Sequence, residues 1–295
     1  MSDVITGLWS AMATPLDAAG AVDHAALARH GTWLMQQGCD GLVPFGTTGE
    51  GPSFSAAERL AAAEALLRAG IPASRIALGT GCPAIPDTVA LTREAMALGM
   101  THALVLPPYF FRDASEEGLE DAFAAIIEGV GSDRFRLCAY HIPQVSGVKV
   151  PPKALSQLRA RFGRVMAGVK DSSGDFDSFL AFRREAPEVG ALVGAEVLIA
   201  RAAAEGGVGT ICGMSNLVPG LVREMFAGPA AEPRMQAACD QISGPDFLPT
   251  LKAALAAMTG DAAWRNVRAP LRAGDPARGA RIAAALAALT AKQPA

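Results

Sequence analysis

Short apolar runs alternate along the chain with longer, alanine-rich segments in which apolar residues recur every three or four positions. The short runs are typical of buried strands and the longer segments of helices. This alternation favours a parallel sheet, because neighbouring parallel strands are joined by crossovers that are usually helical. Eight strands are predicted, over residues 8–14, 41–45, 75–79, 102–106, 136–142, 165–170, 191–194 and 207–211.

The segments between these strands have recognisable helix ends. The first helix stops before Gly38, and Ser55 and Glu58 have the spacing of a capping box that opens the second. The predicted helices cover residues 23–37, a segment opening at Ser55, and residues 85–98, 115–129, 152–161, 176–185, 196–204 and 218–227.

Eight successive β/α units predict a (β/α)8 TIM barrel. No strand is predicted after residue 227, so we expect a barrel over residues 1–227 and a helical C-terminal region over residues 228–295. A doubly wound open sheet is the alternative fold. The nucleotide-binding form of that fold is disfavoured, because the chain has neither G-x-G-x-x-G after the first strand nor G-x-x-x-x-G-K-[ST] anywhere.

Composition narrows the classes of partner. A net charge of -3 and a pI near 5.9 give no field that would attract nucleic acid or an anionic membrane. No apolar stretch is long enough to span a bilayer, so a small-molecule partner is expected. The five scattered cysteines and the absence of a signal-peptide pattern predict a cytoplasmic protein. The four histidines form no H-x-H or H-E-x-x-H motif, so catalysis by a bound metal is not expected.

Lys170, at the end of the sixth apolar run, points most directly to chemistry. Of the other four lysines, Lys149 and Lys153 lie next to prolines, Lys252 lies on a predicted helix surface and Lys292 is close to the C-terminus. An amine removed from water at a strand end can serve as a nucleophile, as Schiff-base lysines do. The alternative interpretation is a lysine whose ammonium simply reaches solvent.

Active sites of barrels lie at the carboxyl ends of the strands, so the polar residues there are candidates. The second strand is followed by Gly-Thr-Thr-Gly-Glu at 46–50, whose N–H and hydroxyl groups suit a carboxylate or phosphate, although a plain glycine turn is the alternative. Tyr140 could shuttle protons or could be an ordinary buried ring, and His141 is predicted to face the other way. The glycine-rich segment 206–213 could approach a ligand closely or cradle a phosphate.

Three motifs in order resemble those of the dihydrodipicolinate synthase and N-acetylneuraminate lyase family of Schiff-base aldolases. They are Gly46-Thr47-Thr48-Gly49-Glu50, Tyr140-x-Ile142-Pro143 and Gly168-Val169-Lys170-Asp171, and the resemblance extends over nearly the whole chain. It implies a cytoplasmic enzyme without a cofactor that assembles as a homotetramer, a dimer of dimers.

The resemblance also implies a role for individual residues. Lys170 would form an imine with pyruvate or another 2-keto acid, and Tyr140 would be the acid/base relay. The threonines would hold the keto acid's carboxylate, and the Ile211 carbonyl would face the lysine. The candidate catalytic residues are Lys170, Tyr140 and Thr47, and the candidate substrate-binding residues are Gly46, Thr48, Gly194, Glu196 and Ile211.

Departures from the family's motifs bear on the substrate. Where dihydrodipicolinate synthases carry an arginine that grips the aldehyde's carboxylate, this chain has Val145. Where they carry a second tyrosine at a dimer contact, it offers Phe110, unless the neighbouring Tyr109 takes that place. Sialic-acid lyases use acidic residues after strand seven, and here Glu196 is the one acid available. Glu196 is thus a candidate for binding a smaller polyol or an ordinary acid in a helix's first turn.

The leading hypothesis is a lyase that condenses pyruvate with an aldehyde, or cleaves a 4-hydroxy-2-keto acid, through an imine on Lys170. A 2-keto-3-deoxy sugar acid dehydratase using the same imine is a close alternative. A 4-hydroxy-tetrahydrodipicolinate synthase is disfavoured by Val145. A non-catalytic protein that binds a 2-keto acid is the alternative from a different class, although a binder has no need of the nucleophile.

Overall fold

Eight parallel strands form one sheet in the computed structural model, which describes residues 4–291. The strands are β1 (Gly7–Met12), β2 (Gly41–Pro44), β3 (Ala77–Gly79), β4 (His102–Val105), β5 (Arg136–His141), β6 (Met166–Asp171), β7 (Gly190–Val193) and β8 (Gly209–Cys212). Their spatial order is β2-β1-β8-β7-β6-β5-β4-β3, and a parallel bridge between Leu42 and Ile76 brings the two ends of the sheet together. The predicted TIM barrel is therefore confirmed.

Helices lie between the strands and follow the last one. They are α1 (His24–Gln36), α2 (Ala56–Arg68), α3 (Ile85–Ala97), α4 (Glu116–Val130), α5 (Pro143–Ser146), α6 (Pro152–Phe162), α7 (Phe176–Glu185), α8 (Ile199–Ala204), α9 (Pro219–Glu224), α10 (Glu232–Ile242), α11 (Phe247–Thr259) and α12 (Pro276–Thr290). The short α5 was not predicted, and the helix predicted from residue 196 opens with a 3-10 turn, Glu196–Leu198. No helix within residues 4–291 is long and apolar enough to cross a membrane.

Capping side chains set where several of these helices begin. The side chain of Ser55 accepts a hydrogen bond from the Glu58 N–H, and the Glu58 carboxylate accepts one from the Ser55 N–H, which is the predicted capping box. Asp23 caps α1 by accepting a hydrogen bond from the Ala26 N–H. The sequence signals for helix starts were therefore sound at these positions.

Side chains of alternate strand residues separate into two cores, as the two-residue period of a strand requires. The larger core lies between the strands and the helices. The smaller core fills the barrel interior and contains Ile5, Trp9, Ala11, Val43, Ala77, Leu104, Cys138, Tyr140, Ile142, Leu192 and Ile211. Tyr140 and Ile211 are thus in the barrel interior, whereas His141 packs against Phe182 of α7 on the outer side.

The C-terminal helices cover the side of the barrel and bury a lysine. Eight consecutive residues of α11, numbers 249–256, are buried, and Lys252 is among them with no exposed surface. The prediction that Lys252 lies on a helix surface is wrong. A helix that is buried on all sides is enclosed by its neighbours, and the lysine is covered with the rest. Lys292 lies outside the described residues.

The glycine-rich segment 206–213 lies mostly at the wrong end of the barrel for the predicted role. Gly206 and Gly207 precede β8, and Gly209 is its first residue, packed against the backbone of Gly7. These three glycines are at the amino end of the strand, where the chain enters the barrel. Only Gly213 lies past the carboxyl end, so the segment cannot form a phosphate cradle beside Lys170.

Candidate active site

Lys170 projects from β6 into the barrel interior beside the residues that flank it in the sheet. It is paired with Tyr140 of β5 and Leu192 of β7, and only 3% of its surface is exposed. Its Nζ lies 4.2 Å from the centroid of the Tyr140 ring. Within residues 4–291, Nζ has no hydrogen bond and no carboxylate within ion-pair distance. The amine is therefore enclosed, and it contacts the face of the Tyr140 ring.

A second potential nucleophile, Cys138, lies two residues before Tyr140 on the same face of β5. Burial raises the pKa of its thiol to about 12, against a lowering effect from the positive charge of Lys170. A thiol with such a pKa stays protonated at neutral pH and is a poor nucleophile. Of these two side chains, the lysine is therefore the better candidate nucleophile.

The Tyr140 hydroxyl joins β5 to the loop after β2. Its oxygen is 3.1 Å from Oγ1 of Thr47, and either group can donate the hydrogen bond. A hydroxyl pair of this kind can pass a proton from one oxygen to the other. The structure thus brings together all three candidate catalytic residues, Lys170, Tyr140 and Thr47.

The loop after β2 has an unusual backbone. Phe45 and Glu50 have φ angles of 61° and 57°, and they are the only non-glycine residues between 4 and 291 with positive φ. Such conformations cost about 1 kcal/mol or more each, so the surroundings have to enforce them. A Cβ on Gly49 would lie 2.6 Å from the Phe45 nitrogen, so the chain packs back on itself here. This folding presents Gly46, Thr47 and Thr48 toward the barrel end.

The remaining substrate-binding candidates lie around the same opening. A Cβ on Gly213, just after β8, would lie 3.3 Å from Oγ1 of Thr48, which places Thr48 beside the strand that carries Ile211. Gly194 packs so closely against Ser172 that a Cβ would lie 2.0 Å from the serine Oγ. Gly194 therefore allows β7 to approach the turn that follows Lys170.

Glu196 lies after β7, close enough to Lys170 for their charges to interact. Burial raises the pKa of its carboxyl, and the Met214 N–H and the positive charge of Lys170 oppose that shift. Oε1 accepts a hydrogen bond from the Met214 N–H at 2.8 Å. The backbone N–H groups of Gly213 and of Glu196 itself also stabilise the ionised carboxylate, so the backbone after β7 and β8 fixes its position.

The residues that depart from the family's motifs lie at the rim. Val145 is 58% exposed, and Phe110 and Phe111 are 77% and 78% exposed, with their rings edge to face at 5.3 Å. Tyr109 is half-buried instead. Burial raises the pKa of its hydroxyl, as does the nearby Cys82. The rim therefore presents apolar side chains at these three positions, and the exposed Arg112 packs against Gly147 nearby.

Two charged residues that sequence reasoning missed hold the loop after β2. Arg59 of α2 is buried and donates to the carbonyls of Phe54, Gly51 and Gly79. Lys252 Nζ forms an ion pair with Glu50 Oε1 at 2.6 Å, and neither side chain is exposed. A lysine inside an otherwise apolar helix was the available signal for this pair, since such a lysine is rarely buried without a partner.

A cluster on the outer side of the barrel contains Ser178, His141 and Asp171. His141 follows Tyr140 in the sequence, and Asp171 follows Lys170. Ser178 Oγ is 3.4 Å from His141 Nε2, and Asp171 is the strand partner of His141. However, the Val150 N–H donates to His141 Nδ1 at 3.0 Å, so the proton of the neutral ring is on Nε2. Nε2 cannot then accept the serine proton, and the cluster is not a hydrolytic triad. Burial lowers the pKa of His141, which keeps the ring neutral.

A cavity of about 510 Å³ lies away from Lys170, between α1 and the segment around Trp264, and is lined in part by His30 and Trp33. It contains none of the candidate residues. Within residues 4–291 no group of three or more His, Cys, Asp or Glu side chains could hold a metal ion. The candidate catalytic groups that the structure brings together are the Lys170 amine and the hydroxyls of Tyr140 and Thr47.

Comparisons with known proteins identify the family of the chain. Residues 4–241 match the model of the dihydrodipicolinate synthetase family. The chain is 37% identical over 273 residues to an uncharacterized DapA-like lyase of Chloroflexus aurantiacus, across 90% of each protein. It is 35% identical over 219 residues to the 4-hydroxy-tetrahydrodipicolinate synthase of Synechococcus sp. strain WH7803, across 74% of this chain and 71% of that one.

A solved structure extends the similarity to three dimensions. The crystal structure of dihydrodipicolinate synthase from Agrobacterium tumefaciens superposes with a TM-score of 0.90 at 33% identity, over 97% of this chain and 100% of the other. Sequence and fold thus agree over almost all of the chain. The protein belongs to the dihydrodipicolinate synthetase family and is a lyase of that family.

Proposed function

We propose that the protein is a class I lyase that forms an imine between Lys170 and pyruvate or a related 2-keto acid. It then condenses the bound keto acid with an aldehyde, or runs the reverse cleavage of a 4-hydroxy-2-keto acid. One observation carries the proposal: a buried lysine without an ion-pair partner lies against Tyr140, whose hydroxyl is bonded to Thr47.

Imine formation needs a nucleophile and a proton donor. The uncharged Lys170 amine attacks the keto carbon, and the carbinolamine hydroxyl leaves as water once it receives a proton. Tyr140 is beside the amine and can give that proton, while Thr47 connects its oxygen to the opening of the site. The C–N bond is then an iminium, which withdraws electrons from the neighbouring carbon.

Carbon–carbon chemistry follows from that iminium. Loss of a proton from C3 of the bound keto acid gives an enamine, which attacks the aldehyde carbon, and the new alkoxide takes up a proton. Water finally hydrolyses the iminium, returns the amine and releases a 4-hydroxy-2-keto acid. Every proton in this sequence is exchanged near the Tyr140 oxygen, so one relay can serve each step.

The keto acid's carboxylate requires donors at the loop after β2. Gly46, Thr47 and Thr48 supply N–H and hydroxyl groups in a folded loop that presents them together. Anchoring the carboxylate fixes the keto carbon relative to Lys170, which converts binding energy into orientation. The Ile211 carbonyl, Gly194 and Glu196 complete the proposed substrate site.

The second substrate is proposed from the rim. Val145 cannot pair with a carboxylate, so an aldehyde that carries one is disfavoured, and with it the 4-hydroxy-tetrahydrodipicolinate synthase reaction. The Glu196 carboxylate, which lies after β7 near Lys170, suits a hydroxyl group of the aldehyde. A dehydratase acting on a 2-keto-3-deoxy sugar acid would use the same imine, and analysis of the products separates the two because only the aldolase releases pyruvate.

We also propose a homotetramer in the cytoplasm. The exposed pair Phe110 and Phe111 is a large apolar feature that burial against a second copy would cover. All five cysteines are free, which suits a reducing compartment. Sedimentation of the purified protein would measure the assembly, and Phe110→Ser with Phe111→Ser is expected to weaken it.

Exchange of the methyl protons of pyruvate with D2O tests the imine proposal without knowledge of the aldehyde. Formation of the enamine removes a C3 proton, so the protein should make the methyl NMR signal of pyruvate disappear far faster than buffer does. Acetate, which has no ketone, serves as the control substrate. An exchange rate equal to that in buffer would refute the proposed chemistry and favour a non-catalytic binder.

A further inference from the structure

The loop that carries Thr47 and Thr48 is attached to the C-terminal helices through a buried ion pair. Lys252 of α11 contacts Glu50 Oε1 at 2.6 Å and donates a hydrogen bond to the Thr14 carbonyl at 2.9 Å. Thr14 in turn donates through Oγ1 to the carbonyl of Gly49 at 2.8 Å. One ammonium therefore holds the end of β1 and the end of the loop at once.

Glu50 is fully engaged by this part of the chain. Its second carboxylate oxygen, Oε2, accepts a hydrogen bond from the backbone N–H of Arg268 at 3.2 Å. The guanidinium of Arg268 donates to the carbonyls of Ser53 and Gly20, so the same residue also holds the chain on both sides of the loop. Each donor comes from the region after residue 227, outside the eight β/α units.

The same helix also reaches Gly213, the residue after β8 that lies beside the loop. Phe247, in the first turn of α11, would lie 2.9 Å from a Cβ placed on Gly213, and Thr48 Oγ1 would lie 3.3 Å from that Cβ. The Phe247 ring and the Thr48 hydroxyl thus both lie next to Gly213. Helix α11 therefore supports the loop at Glu50 and also packs against Gly213, which is adjacent to Thr48.

The backbone of the loop after β2 is strained and therefore needs support from its surroundings. Phe45 and Glu50, which bracket Gly46–Gly49, both hold positive φ angles that side-chain-bearing residues avoid. A buried ion pair is in general a weak source of stability, since well-packed apolar residues often replace it without loss. A buried pair at the end of a strained loop is therefore better explained by the geometry that it imposes.

We propose that Lys252 and Glu50 are positioning residues for the keto-acid carboxylate, so that α11 sets the geometry of the Thr47–Thr48 loop. The proposal rests on the function proposed above, because it assigns the loop to the carboxylate. It goes beyond that function by making a helix outside the barrel a determinant of keto-acid affinity. Neither residue touches the substrate, and both act through the loop backbone.

The experiment measures how much pyruvate is needed to label Lys170. Wild type, Glu50→Gln, Lys252→Met and the double variant Lys252→Met/Glu50→Gln are reduced with borohydride over a pyruvate titration, and the adduct is quantified by peptide mass spectrometry. Both single variants should raise the half-saturating pyruvate concentration at least about tenfold, while labelling at saturation stays near that of wild type. Leu286→Ala, in the buried face of α12, is the matched control for loss of stability without contact to the loop.

The double variant separates positioning from stability. Removing both charges leaves no uncompensated ion, so resistance to urea should return toward wild type. The half-saturating concentration should remain at least about tenfold raised, because the contacts to Glu50 and Thr14 are still lost. If Lys252→Met does not fold, Glu50→Gln and the double variant still distinguish the two roles.

The two proposals fail in different ways. If wild type gives no adduct with any 2-keto acid, the imine on Lys170 is refuted and the positioning proposal falls with it. If wild type is labelled, and the folded variants reach half-saturation at the wild-type concentration, the imine stands and the positioning role is overturned. The positioning role is also overturned if Leu286→Ala raises the half-saturating concentration as much as Glu50→Gln does.

Discussion

Two lysines are buried within residues 4–291, and their surroundings are opposite. Lys252, on α11, has an ion-pair carboxylate at 2.6 Å and a carbonyl at 2.9 Å. Lys170, inside the barrel, has the face of an aromatic ring and no ion-pair partner within residues 4–291. A carboxylate that holds an ammonium by charge also prevents the amine from acting as a nucleophile. Burial alone therefore does not make a lysine reactive, and the absence of a paired carboxylate is the distinguishing feature.

The surroundings also differ in what they can do with protons. Next to Lys170 are the hydroxyls of Tyr140 and Thr47, 3.1 Å apart, which can give and accept protons. Next to Lys252 are the Glu50 carboxylate and a backbone carbonyl, and the ion pair holds its proton. Burial lowers the pKa of Lys252, and the charge of Glu50 opposes that shift. One region is arranged for chemistry and the other for a fixed geometry.

The largest expected effect is that of removing the Lys170 amine. Lys170→Ala should lower the rate of pyruvate methyl exchange by at least about 10⁴-fold, because no other group can form the imine. Circular dichroism should show an unchanged fold. The matched control is Lys149→Ala, which removes an exposed lysine and should leave the exchange rate unchanged. Substantial exchange by Lys170→Ala would place the nucleophile elsewhere.

Removing the hydroxyl next to Lys170 should have the next largest effect. Tyr140→Phe keeps the ring that lies against the amine but removes the proton relay, so exchange should slow by about 10² to 10⁴-fold. The only other tyrosine, Tyr109, provides the control. A larger loss with Tyr109→Phe than with Tyr140→Phe would show that the relay passes through Tyr109.

Loss of Lys252 should reduce the unfolding free energy more than loss of Lys170, although Lys170 is the residue expected to matter more for activity. Lys252→Met leaves Glu50 as an uncompensated buried charge, and breaking a buried pair in this way costs about 3 to 5 kcal/mol of unfolding free energy. Lys170→Met removes an amine that has no ion-pair partner within residues 4–291, so its unfolding free energy should be unchanged or slightly higher. Urea unfolding of both variants measures the difference, and equal losses would contradict the contrast between the two sites.

The smallest expected effect concerns Glu196, whose carboxylate charge interacts with the charge of Lys170. Burial raises the pKa of its carboxyl, so the folded protein binds this proton more tightly than the unfolded chain does. The ionised form therefore weakens the fold above that pKa, and the weakening disappears as the pH falls. Glu196→Gln should raise the melting temperature more at pH 8 than at pH 4.5. The same shift at both values would assign the effect to packing.

Much of the fold followed from the period of the apolar residues. All eight strands were placed within about two residues of their positions, because each is a short buried run between segments of helical period. The short α5 was missed because four residues are too few to show a period. The glycines at 206–209 were assigned to the wrong end of the barrel. A glycine-rich segment can lie before a strand or after it, and composition alone does not distinguish the two positions.

The candidate site was predictable where residues of unusual type stand at strand ends. Lys170 and Tyr140 are such residues, and the sheet register pairs them directly. Lys252 and Arg59 were not predictable in this way, because their roles depend on contacts with residues about 200 and 20 positions away. Local patterns contain no information on which distant carboxylate or carbonyl will meet a charged side chain.

Reductive trapping followed by peptide mapping asks directly which of the buried lysines is the nucleophile. The protein is incubated with pyruvate, reduced with borohydride and digested, and the lysine that carries the adduct is identified by mass spectrometry. We expect an adduct on Lys170 and none on Lys252, because one amine is unpaired and the other is held by Glu50. An adduct on Lys252 or another lysine, or no adduct with pyruvate and other 2-keto acids, would contradict the assignment of Lys170.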